Sequence, residues 1–162
     1  MEKILCLFCL FILLICITGC VTFHEKFERV SNIENISYME IYFIESSYDP
    51  FNEDIQTTLE PIKILNNNMY KQVIEDLESL DYKVIIPLFA PSDPSFNLYG
   101  FVIKIMYNSG IYQLVSNSGA VYTYDSNGYL SSFHARVEQD IWDNLIIKYL
   151  GKEVFDQYKL PF

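Results

Sequence analysis

The sequence predicts an α+β fold: a mainly antiparallel sheet built round a four-strand meander, with two helices packed on one face. Two observations carry most of this expectation. The triplets Asn108-Ser109-Gly110, Asn117-Ser118-Gly119 and Ser126-Asn127-Gly128 set their glycines nine residues apart between β-rich runs. Glycine takes positive φ at a hairpin turn without steric cost, and asparagine tolerates it, so each triplet marks a chain reversal. Apolar residues at helical spacing then fall in one segment before the meander and one after it.

Taken in order, residues 24–35 have mixed charge, with Phe27, Val30 and Ile33 at three-residue spacing, which fits either a short helix or a tether. Residues 38–45 read as a strand, with Met39, Ile41 and Phe43 on one face and Glu40 and Tyr42 on the other. A polar loop over 46–58 and a short strand over 62–65 follow. Asparagines at 66–68 supply cap residues for a helix whose buried stripe is Tyr70, Val73, Ile74, Leu77 and Leu80, ending near Asp81. Residues 82–89 are rich in branched side chains but contain Pro87, which marks an edge strand or one that stops there. The two prolines within 90–97 make that stretch a loop.

The meander strands are expected at 98–107, 111–116, 120–125 and 129–133. Nine-residue spacing alone also suits calcium-binding β-roll repeats, but the paired glycines and repeated aspartates of that pattern are missing. The last helix is expected over 136–150, with Val137, Ile141, Leu145 and Tyr149 on one stripe and Trp142 and Ile146 widening it. Glu138 and Asp140 suit the positive end of its dipole, Lys148 the negative end, and Gly151 the residue that closes it. Val154, Phe155, Tyr158 and Leu160 give the tail an apolar face, so it is expected to pack.

The N-terminus has a different character. Met1-Glu2-Lys3 is followed by an unbroken apolar run over 4–17, of the length of a signal-peptide core. Next comes Ile17-Thr18-Gly19-Cys20. This tetrapeptide resembles the lipobox of bacterial lipoproteins: an aliphatic residue, a small residue, Gly or Ala, then the cysteine that is acylated. The resemblance covers about 20 residues and implies a lipid on the Cys20 thiol, cleavage before it, and a membrane-held domain on the extracytoplasmic side. The alternative is an uncleaved span, because apolar character runs on to Phe23 and reaches the length a bilayer requires. The organisation implied is a signal peptide over 1–19, lipidated Cys20 with a membrane-proximal tether over 20–37, and one domain over 38–162. In such a lipoprotein the Asn35-Ile36-Ser37 pattern for N-glycosylation has no meaning.

Composition limits the function classes. Removal of the first 19 of 162 residues leaves 143, enough for one domain with a core. Half the chain is apolar and 16 % is aromatic, which excludes disorder. The net charge of −10 lies wholly outside the leader, whose Glu2 and Lys3 cancel. Such a domain repels phosphate backbones, so nucleic acid is not an expected partner, and only a covalent tether suits an anionic bilayer. All four cysteines fall within the first 20 residues, so the folded part is expected to have neither a disulfide framework nor a cysteine metal site.

Residues with chemical potential are few. His134, next to Ser131 and Ser132, lacks a nucleophile-elbow pattern and reads as a cap or surface residue; His24 lies in the membrane-proximal stretch. Asp49, Glu53, Asp54 and Glu60 form an acidic loop region. Asp49 and Glu60 have the outer spacing of an EF-hand, but Phe51 and Asp54 occupy positions where a ligand and a glycine belong. No metal and no cofactor are expected. Tyr99, Tyr107, Tyr112, Tyr122, Tyr124 and Tyr129 all fall on the meander, and Tyr122 and Tyr124 share one face. With Tyr112 they are the candidate binding residues, an aromatic platform for an envelope protein or a glycan; tyrosine also serves as sheet core. The function expected is a non-catalytic, membrane-anchored binding module that uses this face or the loops round Asp49 and Asp93. A carboxylate-dependent envelope enzyme and a structural envelope protein are the alternatives.

Overall fold

The computed structural model describes residues 20–48, 59–87, 98–116, 121–125, 127–133 and 137–158. In chain order the strands are β1 (Cys20–Glu25), β2 (Ile36–Tyr48), β3 (Lys63–Ile64), β4 (Tyr82–Pro87), β5 (Leu98–Tyr107), β6 (Tyr112–Ser116), β7 (Val121–Asp125) and β8 (Gly128–Phe133). The helices are α1 (Tyr70–Ser79), α2 (Gln139–Leu150) and α3 (Lys152–Tyr158), with single 3-10 turns at Ile33–Asn35 and Asn67–Met69. Six strands form one sheet in the order β3-β2-β5-β6-β7-β8, every neighbouring pair antiparallel. The fold is α+β, and the four-strand meander is β5 to β8.

The turns follow from the triplets that lie among the described residues. Gly110 has φ +84, and its amide donates to the Tyr107 carbonyl at 2.9 Å, which closes β5 onto β6. Gly128 has φ +116, and the Asn127 amide donates to Asp125 Oδ1 at 2.7 Å, an Asx turn. The triplet at 117–119 lies outside the described residues, as do the leader and most of the acidic loop.

Strand alternation gives the sheet two faces. On one, Met39 and Ile41 of β2, Phe101, Ile103 and Ile105 of β5, Val115 of β6 and Val121 of β7 meet both long helices. From α1 come Tyr70, Val73, Ile74 and Leu77, as the spacing predicts. From α2 come Trp142, Leu145, Ile146, Tyr149 and Leu150. Ile141, expected on that stripe, is 46 % exposed. The stripe is centred on Trp142, Ile146 and Tyr149, and Ile141 lies about 100° round the helix from Trp142.

The two helices are also tied by polar bonds. Lys148 Nζ and the Tyr149 hydroxyl both donate to Asp76 Oδ2 on α1, the former at 2.5 Å. Gly151 closes α2 with φ +87, its amide bonding the Ile147 carbonyl at 2.8 Å, and α3 continues the packing with buried Phe155 stacked on Phe101.

Residues 20–37, expected as a tether, fold onto the body. β1 pairs with β4 from Cys20↔Pro87 to Glu25↔Tyr82 as a separate two-stranded ribbon. Phe27 is 2 % exposed within the main core, and β2 begins at Ile36. The reason is pairing: the branched run of β4 needs an antiparallel partner, and β1 supplies one from the far end of the chain. A buried polar chain fixes the connecting stretch. The Tyr107 hydroxyl donates to Gln113 Oε1 at 2.8 Å, and Gln113 Nε2 donates to the Glu28 carbonyl at 3.0 Å. Among the described residues no helix is long and apolar enough to cross a membrane.

Burial raises the Tyr107 phenol from its ordinary 10.0 to about 12, and it also raises those of Tyr82 and Tyr149, the latter helped by its bond to Asp76. These phenols stay neutral in the fold but ionise near pH 10 once unfolded, so stability is full below pH ~10 and falls as pH rises above it. The urea midpoint should hold steady up to about pH 10 and decline towards about pH 12. A midpoint unchanged across that window would contradict the burial of these groups.

Candidate functional site

The second face of the sheet carries the predicted tyrosines. Residues that face each other across the strands form two rows. The first runs Tyr38, Met106, Tyr112, Tyr124 and on to Tyr129; the second runs Glu40, Lys104, Leu114, Tyr122 and Ser132. Tyr112, Tyr122 and Tyr124 are therefore brought together on one face. The Tyr112 and Tyr124 rings stack with centroids 4.8 Å apart and planes 12° from parallel, and Tyr122 sits tilted at 6.3 Å from Tyr124.

They do not form an open platform. Tyr122 is fully buried and Tyr124 is 4 % exposed, within a second apolar cluster of Tyr42, Ile44, Leu98, Val102 and Leu114. Leu59 packs against that cluster from outside the sheet, and so does Tyr112, which is only half-buried. The centre of the sheet is thus buried on both faces. Aromatic pairs of this kind contribute about 0.5–1.5 kcal/mol beyond their area. The accessible part of the patch is its rim of half-buried Tyr38, Glu40, Met106 and Tyr112.

Behind the rim lies Lys104, whose side chain is entirely buried. Its ammonium lies 5.0 Å from the Tyr112 ring centroid and 5.6 Å from that of Tyr38, within cation–π range of both. Glu40 is its cross-strand neighbour, and the Tyr42 hydroxyl donates to Glu40 Oε2 at 2.6 Å. An ammonium taken out of water is costly unless rings and carboxylates replace its hydration. Tyr38, Tyr112 and Glu40 are placed to do so. Chemically, the accessible rim combines flat aromatic surface, a thioether and a carboxylate, which suits recognition of a polar ligand with apolar faces.

Neither Lys104 nor Glu40 stands out in the sequence as a site residue. The available signal is alternation: Lys104 interrupts the apolar run of β5 with Ile103 and Ile105 on either side. Tyr107 belongs to the helix face, bonded to Gln113, and is no part of the patch. Tyr99 and Tyr129 take positions on β5 and β8. His24 Nδ1 contacts both oxygens of Asp81, at 2.8 and 3.0 Å, in an exposed surface pair. Ser131 and Ser132 lie on β8, while His134, Asp49, Glu53, Asp54 and Asp93 fall outside the described residues. Glu60 is exposed. Among the described residues no group of three or more His, Cys, Asp or Glu side chains is arranged to hold a metal ion.

Core and rim should separate in stability. Tyr122→Ala empties a fully buried site and should cost about 3–5 kcal/mol in urea denaturation, whereas Tyr112→Ala at the rim should cost about 1–2 kcal/mol. Equal losses would show that Tyr122 does not belong to a packed core. No family model, curated protein or solved structure matches this chain.

Proposed function

We propose that the chain is a bacterial lipoprotein, acylated at Cys20 and held on the extracytoplasmic side of the cell membrane, whose domain is a non-catalytic binding module. The observation that carries the anchor is in the sequence: the apolar run over 4–17 leads directly into the lipobox-like Ile17-Thr18-Gly19-Cys20, so h-region, small residue and cysteine fall at signal-peptide spacing. The net charge of −10 supports the same reading, because a covalent lipid overcomes the repulsion that an acidic domain meets at an anionic surface.

The binding surface is the rim of Tyr38, Glu40, Met106 and Tyr112. Tyrosine and methionine are enriched where proteins meet partners, and Lys104 with the buried Tyr122–Tyr124 pair gives this rim a rigid backing. The partner class is an envelope protein or an envelope glycan, either of which can lay an apolar face on a tyrosine ring.

Two experiments test the two halves. Radioactive fatty acid fed to cells should label the wild-type protein but not Cys20→Ala; label retained by the alanine variant would remove the lipid from this site. For the binding half, partners captured from envelope extracts by the wild-type protein should be lost with a Tyr38→Ala/Tyr112→Ala variant of unchanged circular dichroism. Capture that is indifferent to both substitutions would exclude the rim.

A further inference from the structure

We infer that the outer end of the β1–β4 ribbon is a second membrane contact, seated in the headgroup and upper acyl region of the bilayer. This rests on the lipid-anchor reading of Cys20, in which the chain leaves the bilayer at the start of β1. The register Cys20↔Pro87 then brings the end of β4 to the same level.

The composition of the ribbon changes sharply along its length. The outer pairs, Cys20↔Pro87, Val21↔Ile86, Thr22↔Ile85 and Phe23↔Val84, contain no charged residue. The next pair is His24↔Lys83, followed by Glu25↔Tyr82. At about 3.3–3.4 Å per residue the uncharged end is roughly 10 Å long. That matches the roughly 5–10 Å to which amphipathic segments enter the boundary between headgroups and acyl chains.

The ribbon cannot go deeper. Among the described residues it joins no third strand, and hydrocarbon does not satisfy the backbone N–H and C=O groups of an open strand edge. The boundary region offers water and headgroups to satisfy them.

Charge at the base of the ribbon is arranged to match. His24 lies 2.8 Å from Asp81, Lys83 lies 2.6 Å from Glu138, and Arg29 lies 3.3 Å from Glu78. In a chain of net charge −10, Asp81 and Glu138 thus have basic partners on the ribbon, which lowers the repulsion this end meets at an anionic surface. The domain would then stand on the bilayer in one orientation instead of swinging on a tether.

Photocrosslinking of the full chain in native membranes tests this. Benzoylphenylalanine placed separately at Ile85 and Ile86, and at Lys71 on the exposed side of α1 as a control, is irradiated and the protein is analysed by mass spectrometry for attached phospholipid. The inference expects lipid adducts at one or both ribbon positions, several-fold above the control. Adducts at both positions no higher than at Lys71 would overturn it. Fatty-acid labelling of Cys20 in the same cells separates the two readings. Label without ribbon adducts leaves the lipid anchor standing and removes the ribbon contact; ribbon adducts without label keep the contact and remove the lipid.

Discussion

The pairing of β2 with β5 is the constraint on which the rest of the structure depends. β5 lies between β2 and β6, and its side chains alternate between two buried surfaces. Phe101, Ile103 and Ile105 face the helices, while Val102 and Lys104 face the tyrosine cluster. A slip of one residue would exchange Ile103 with Lys104 and put an ammonium beneath the helices. At one end of the register the Asn108 amide donates to the Asn35 carbonyl at 2.7 Å, beside the Ile36↔Tyr107 pair. At the other end a register irregularity follows Ile44, where its partner Gly100 takes φ +76, a conformation in which any other residue would be strained. Lys104 is thus costly to bury and also a marker of the correct register, because only one alignment sets it opposite Glu40 and between Tyr38 and Tyr112.

Much of this was legible in the sequence, and the parts that were not share a cause. The meander could be read because its information is local: glycine and asparagine at each turn, branched and aromatic residues between turns. α1 could be read because Tyr70, Val73, Ile74 and Leu77 repeat at the helical period. The ribbon could not, because β1 and β4 are joined by backbone hydrogen bonds between distant segments and neither announces its partner. Two-sided burial was legible only in part, for a related reason, since tyrosine suits a sheet core as well as a platform. Tyr and Lys alternating with Ile and Val read as a wet face over a dry one, and a strand carries no sign that its second face is also covered. Burial of Tyr122 and Tyr124 and the site round Lys104 both follow from that second layer.

The ribbon and the main sheet answer the same problem differently. The sheet's inner strands have partners on both sides and apolar cover on both faces, so their backbone groups are satisfied internally. Among the described residues the ribbon has two strands and no third beside them, and it is held to the body by Tyr82 and Phe27 in the core and by surface ion pairs at its base. Exposed pairs of this sort add little to stability, so the core residues do most of the holding.

Tyrosine explains why composition alone could not locate the site. A domain without cysteine beyond Cys20 has no disulfide to close its core, and here the phenols take on several tasks. Tyr149 bonds Asp76 and ties α1 to α2; Tyr107 bonds Gln113 and so holds the Glu28 carbonyl; Tyr42 bonds Glu40. Each ring fills core volume while its hydroxyl makes a polar bond, and the hydroxyls of Tyr149 and Tyr107 join two elements, a combination aliphatic side chains lack. Most of the tyrosines on the described strands and helices are therefore structural. What distinguishes Tyr112 from Tyr124, stacked against it, is position within the same row: one lies on the rim and the other under cover. The proposed recognition by this face would act through Tyr38, Glu40, Met106 and Tyr112, because a ligand cannot reach the buried tyrosines without displacing the packing that defines the fold.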